Sequence, residues 1–120
     1  MKAEGGKADL KLRTRKYAVR IIRLYCSLPR NEVARTLGKQ LLRSGTSVGA
    51  HYREGQRAKS DADLISKLEG ALQELQESLY WIELLGNAKI FPPTRLQPLV
   101  LETDELLSIL VTVVKNIKGR

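Results

Sequence analysis

Six aliphatic residues, Ile65, Leu68, Leu72, Leu75, Leu79 and Ile82, recur at alternating intervals of three and four. Such spacing lays side chains along one stripe of an α-helix, whereas a strand, with its period of two, would throw them onto both faces. The stripe reads as the seam of an antiparallel bundle or coiled coil, so it requires helical partners to cover it. Ser60 followed by Asp61 and Asp63 is a strong helix start. Glu69, Gln73, Gln76 and Glu83 lie off the seam, and Gly86-Asn87 is suited to end the helix in a left-handed cap. The pattern predicts a helix over about 61–85.

Three further segments supply the partners. From about residue 10 to 27, after Asp9 as N-cap and before Pro29, Leu10, Thr14, Tyr17, Ala18, Ile21, Leu24, Tyr25 and Leu28 share one face. From 32 to about 57, capped by Asn31 with Glu32 in the first turn, the apolar face reads Ala34, Leu37, Gly38, Leu41, Gly45, Val48, Gly49 and Tyr52. Each glycine inside a helix costs roughly 1 kcal/mol relative to alanine. Gly38, Gly45 and Gly49 on one face therefore imply close approach of a neighbouring backbone. The last helix, about 94–118, carries Leu96, Leu99, Thr103, Leu106, Leu110, Val113 and Ile117, widened by Val100, Leu107 and Val114. A stripe that wide covers two neighbours, or one neighbour and another subunit. Pro98 is tolerable only near the first turn. Short turns between helices give an all-α, up-down-up-down antiparallel four-helix bundle over 9–118, preceded by a polar, poorly ordered tail over 1–8.

The chain is 120 residues long, enough for one domain, and it has one cysteine, Cys26, so there is no intrachain disulfide and no site of clustered thiolates. Its charged N-terminus never runs into an apolar segment of the ~20 residues that a membrane span needs, and the expected location is the cytoplasm. The net charge of +8 is unevenly placed. Residues 1–59 hold 15 Lys and Arg against 4 Asp and Glu, while residues 60–120 hold 6 against 9. That asymmetry points to a polyanionic partner, with solubility as the plainer alternative.

Two rows of cations carry the expectation. Arg13, Lys16, Arg20 and Arg23 share a side of the first helix; Arg35, Lys39, Arg43, Arg53 and Arg57 share a side of the second. Either row alone reads as a solvated surface; together they favour phosphate binding. Neither row has interleaved aromatics, so base stacking is not supported and contact falls on the nucleic-acid backbone, RNA or DNA.

Chemistry beyond binding finds little support. No Gly-rich phosphate loop or nucleophile elbow is present, and His51 is the only histidine, which argues against a triad, a zincin site and a dinuclear carboxylate bundle. The chain is read as a non-enzyme with no cofactor and no metal. Glu74 and Glu77 project near the apolar face of the third helix, where Arg43 or Arg53 would pair with them as a structural bridge rather than as acid/base groups. Ser44 and Ser47 have no base to activate them. Arg43, Ser47, His51, Glu54 and Glu77 form the expected polar network.

The run LGKQLLRSGTSVGAHYREGQRAKSDADLISKLEGALQELQESLYWIELL resembles the four-helix-bundle proteins encoded in intervening sequences of bacterial large-subunit ribosomal RNA genes. The residues that carry the likeness are Gln40, Arg43, Ser47, Val48, Glu54, Arg57 and Ser60, then Lys67, Leu68, Glu77, Ser78, Trp81, Glu83 and Leu84; it extends over about 9–118. His51 stands where that family often has Asn. The resemblance implies a ring-shaped homopentamer of four-helix bundles. It also implies kinship with accessory proteins of diversity-generating retroelements, basic pentamers that work with a reverse transcriptase. The leading expectation is a nucleic-acid-binding pentamer. The alternative is a protein-binding scaffold or accessory subunit of a reverse transcriptase.

Overall fold

The computed structural model describes residues 10–120, and the expected tail over 1–8 and the Asp9 cap lie outside them. Four helices follow one another: α1 (Leu10–Ser27), α2 (Glu32–Gly55), α3 (Asp61–Asn87) and α4 (Pro93–Lys118), with no strand among the described residues. The starts follow local chemistry. Asn31 Oδ1 accepts the Ala34 N–H at 2.9 Å, and Ser60 Oγ accepts the Asp63 N–H at 3.1 Å while Asp63 takes the Lys59 N–H at 3.2 Å. Each thus satisfies first-turn donors that the helix itself leaves unpaired. In α4, Pro93 occupies the first turn, while Pro98, the sixth residue, lies inside the helix and removes one N–H from the ladder.

Two helix ends differ from the sequence expectation. α2 stops at Gly55 rather than near Arg57, because the Arg57 and Ala58 N–H groups turn back three residues, to the Glu54 and Gly55 carbonyls at 3.1 and 3.0 Å. α3 runs through Gly86 to Asn87, and the left-handed position falls on Lys89, with φ of 58°. The Ile90 N–H reaches the Leu85 carbonyl and the Lys89 N–H the Gly86 carbonyl, both at 3.0 Å, which closes a Schellman motif around Lys89. Gly86 serves packing instead. A Cβ there would lie 3.3 Å from Leu96, so its absence lets the start of α4 settle against the end of α3.

Cross-contacts show that neighbouring helices are antiparallel. Along α1 and α2, Thr14 meets Gly49, Ile21 meets Gly45 and Leu28 meets Gly38; along α2 and α3, His51 meets Gly70 and Gly55 meets Leu64. Gly86 against Pro93 at one end and Glu69 bonded to Lys118 at the other set α3 against α4. The closest backbone approaches join consecutive helices, and longer side chains close α1 against α4. The bundle is 48 Å long and 26 by 19 Å across, so its two ends are separate surfaces.

The buried stripe of α3 is Leu68, Ala71, Leu75, Ser78, Ile82 and Leu85. Ile65, Leu72 and Leu79 of the expected seam are only half-buried. The offset arises because small Ala71 and Ser78 take central positions and the bulkier aliphatics move to the flank. Four hydroxyl residues, Thr14, Ser44, Ser78 and Thr103, are completely buried. The Thr103 hydroxyl donates to the Leu99 carbonyl at 2.8 Å, so Tyr17 donates to Thr103 across α1 and α4 at 2.7 Å. By the same reasoning Ser78 donates to the Glu74 carbonyl and Ser44 donates to Ser78, at 2.8 Å each. Every buried hydroxyl thus has a partner, as burial requires. Burial pushes the Tyr17 phenol up to about 12.

The glycines on the side of α2 that meets α1 differ in what they tolerate. A Cβ at Gly45 would lie 2.6 and 2.9 Å from Ile21 Cγ1 and Cγ2, close to the root of a fully buried side chain that has no room to turn away. At Gly49 the nearest atom is Thr14 Oγ1 at 3.2 Å. Overpacking costs about 1–3 kcal/mol, against about 1 kcal/mol gained in helix propensity. In urea denaturation, Gly45→Ala is expected to lower stability by about 1–2 kcal/mol, with Gly49→Ala close to neutral. Equal effects at the two sites would contradict this packing.

Candidate nucleic-acid interface

Helix α1 contains Lys11, Arg13, Arg15, Lys16, Arg20 and Arg23 and no Asp or Glu, so any carboxylate partner must come from another element. For Arg13 that element is α4. Its guanidinium grips Glu102 through two bonds, Nη2 at 2.9 Å and Nε at 3.3 Å, with Glu105 also 3.3 Å away. The Arg13 and Glu102 side chains are both about four-fifths buried, and the Glu102 hydrogen bonds hold Arg13 more firmly protonated than usual. Arg13 is therefore a strap between α1 and α4.

Arg43 is similarly engaged. It donates to Glu74 at 3.1 and 3.3 Å and to Glu77 at 2.8 Å, and Glu77 also accepts the Trp81 indole N–H at 3.2 Å. The Arg43 hydrogen bond holds the Glu77 carboxyl below its ordinary range. The expected polar network is only partly assembled. Ser47 donates to the Arg43 carbonyl at 2.7 Å and stays within its own helix. His51 stands 3.7 Å from Glu74 and 3.8 Å from Glu54, beyond hydrogen-bond reach, with Nδ1 buried and unbonded beside Gly70. Arg43 is the partner that Glu74 and Glu77 take, as the bridge expected from the sequence has it, and Trp81, which the sequence reading had not placed there, completes the group. Among the described residues no group of three or more His, Cys, Asp and Glu is arranged to hold a metal.

With Arg13 and Arg43 withdrawn, the remaining cations separate by position. Lys16, Arg20 and Arg23 are exposed on the side of α1 that faces α4, and among the described residues no ion pair engages them. Arg20 and Arg23, with Leu24 and Ser27, form one wall of a cleft of about 240 Å³ completed by Phe91, Arg95, Leu96 and Leu99. The Arg95 guanidinium lies 4.7 Å from the centre of the Phe91 ring. Arg35 and Lys39 line a second groove with Arg30, Asn31, Glu32 and Thr36 where α2 begins. Both features sit at the end of the bundle where α1 stops and α2 and α4 start. Arg53 and Arg57 are exposed at the other end, about 27 Å further along for the 18 residues between Arg35 and Arg53.

The two rows lie on different sides of the bundle, the α1 row towards α4 and the α2 row, at Arg43, towards α3. Arg13 and Arg20 lie towards α4, while Thr14, Ile21 and Tyr25 lie towards α2. Along the outer face of α1 run exposed Leu12, Val19 and Ile22. The sequence reading did not include Arg30 or Arg95. Arg95 carried a signal, because it is a cation in the first turn of a helix, where the macrodipole disfavours positive charge. No helix among the described residues is long and apolar enough to cross a membrane.

A family model described as 23S rRNA-intervening sequence protein matches residues 7–112. Among solved structures, a protein of unknown function from the S23 ribosomal protein family of Bacteroides thetaiotaomicron VPI-5482 has the same fold, with a TM-score of 0.83 and 37% sequence identity. The alignment covers 88% of this chain and 97% of that one. A comparison with curated proteins finds no match.

Arg43→Gln leaves Glu74 and Glu77 side by side without their cation. Arg43 is half-exposed, so the expected loss at neutral pH is about 1 kcal/mol or less. Glu77 has a folded pKa below its ordinary 4.5, so its stabilisation is fully present above about pH 5 and disappears as pH falls through the folded value. The difference in urea midpoint between wild type and variant is therefore expected at pH 7 and should shrink below about pH 4. A difference unchanged between those conditions would show that the pairing contributes nothing.

Proposed function

The chain belongs to the 23S rRNA-intervening sequence protein family, and from that premise we propose a non-enzymatic protein that binds nucleic-acid backbone, RNA or DNA, as a homopentameric ring. The observation that carries the reading is the division of the cations. Arg13 and Arg43 are held by carboxylates, whereas Arg20, Arg23, Arg35 and Lys39 are exposed towards one end of the bundle, joined there by Arg30 and Arg95, with Lys16 exposed further back along α1. A surface of that kind attracts phosphates and releases their counterions. Arg53 and Arg57 contribute at longer range from the opposite end.

The ring has its own support. A cyclic assembly of more than two copies uses two different patches on each subunit, one meeting the other on the next copy. The outer face of α1 offers Leu12, Val19 and Ile22, each 38–43% exposed, and α4 offers Leu101 and Val111, at 59% and 42%. An apolar stripe on one helix and exposed aliphatics on another suit such a head-to-tail contact.

Both parts meet in one experiment, a mobility-shift titration over a range of salt with the assembly's mass measured in parallel. The wild type is expected at five times the chain mass, with affinity falling as salt rises by a logarithmic slope of about −0.7 for each phosphate held on a single strand. Joint charge reversal of Lys16, Arg20 and Arg23 to Glu should weaken binding more than about tenfold, and reversal of Arg53 and Arg57 should do less. Binding indifferent to salt would overturn the phosphate reading, and a monomer would overturn the ring.

A further inference from the structure

The cleft between α1 and α4 has more cationic charge than a backbone phosphate requires. Arg20 and Arg23 face it from one wall and Arg95 from the other, over a floor of Leu24, Phe91, Leu96 and Leu99. Among the described residues no carboxylate pairs with them. α1 contains none, and the first on α4, Glu102, is already held by Arg13. The start of α4 adds to the imbalance, with no acidic residue in its first turn and no capping side chain. Stacking on Phe91 holds the Arg95 guanidinium at the rim.

From this geometry we infer that the cleft is an end-binding site, taking the terminal phosphomonoester of a nucleic-acid strand; the inference rests on the nucleic-acid reading above. A phosphodiester within a strand carries one negative charge, whereas a terminal phosphomonoester carries about −1.5 to −2 at neutral pH and offers three acceptor oxygens. Three guanidiniums exceed the charge of the first and fit the second, and arginine's planar fork suits phosphate oxygens. At about 240 Å³ the cleft is smaller than the ~300–1,000 Å³ of pockets for drug-sized ligands, a scale that suits the phosphate end of one terminal nucleotide. The apolar floor receives the sugar or base edge of that nucleotide. Strand ends are phosphorylated at either the 5′ or the 3′ side, and the chemistry recognised is common to both.

The test compares one short single-stranded oligonucleotide in three forms, with a 5′-phosphate, with a 3′-phosphate, and with hydroxyls at both ends, by fluorescence anisotropy. At least one phosphorylated form is expected to bind the wild type about tenfold more tightly than the hydroxyl form, the gain of about one charge-assisted hydrogen bond. Arg95→Gln and Arg23→Gln should each remove most of that preference, while Lys115→Gln at the far end should keep it. The substituted side chains are all exposed, so the variants are expected to fold, which circular dichroism checks. Equal affinity for the three forms, with normal salt dependence, overturns the end site and leaves backbone binding standing. A preference that survives Arg95→Gln also overturns it. If no form binds, the end site and the nucleic-acid reading fail together.

Discussion

The contact between Gly45 and Ile21 sets the position of α1, and most of the surface chemistry follows from it. With no Cβ at Gly45, the Ile21 side chain packs directly on the α2 backbone, with Thr14 at Gly49 and Leu28 at Gly38 in the adjoining turns. Those three contacts fix both the separation of the helices and the rotation of α1 about its own axis. Once that rotation is set, Tyr17 reaches Thr103 and Arg13 reaches Glu102 on α4. The outward side is then occupied by Leu12, Val19 and Ile22, with Lys16, Arg20 and Arg23 along the edge towards α4. A helix with two apolar stripes and no acidic residue is left with an outer stripe and a basic edge still to be used.

Charge in this protein serves two purposes, and geometry separates them. Arg13 and Arg43 each face two carboxylates, and Arg13 in particular is sunk far enough that its fork is structural. Surface pairs such as Arg120 with Asp61 and Lys118 with Glu69 join the end of α4 to α3 at the other end of the bundle, where solvent weakens them. The carboxylates of the second half are largely taken up in this way. The positive charge left over is spread along the molecule, and Arg20, Arg23, Arg30, Arg35, Lys39 and Arg95 lie where α1 ends and α2 and α4 begin. In the account proposed here, the function belongs to that remainder and the paired arginines hold the scaffold that presents it.

Much of the fold was legible in the sequence because helical periodicity and N-caps are local. Asn31 and Ser60 act through their own first turns, and the glycine face of α2 announced a close neighbour without saying which one. What stayed hidden depended on tertiary context. The stripe of α3 is offset because Ala71 and Ser78 take the centre, which periodicity of large aliphatics alone does not reveal. The left-handed turn fell on Lys89 because Gly86 was needed for packing against α4. For the interface, spacing grouped Arg13 with its row, since helical periodicity is blind to Glu102, 89 residues away. It missed Arg95 because the cleft joins the end of one helix to the start of another far along the chain.

Arginine footprinting with and without bound oligonucleotide tests the central claim most directly. An arginine-selective reagent followed by mass spectrometry reads every guanidinium in one experiment. The account predicts that bound nucleic acid protects Arg20, Arg23 and Arg95, leaves Arg53 and Arg57 much less affected, and does not change Arg13 or Arg43. Protection concentrated at Arg53 and Arg57, with Arg20, Arg23 and Arg95 as reactive as in the free protein, would contradict it.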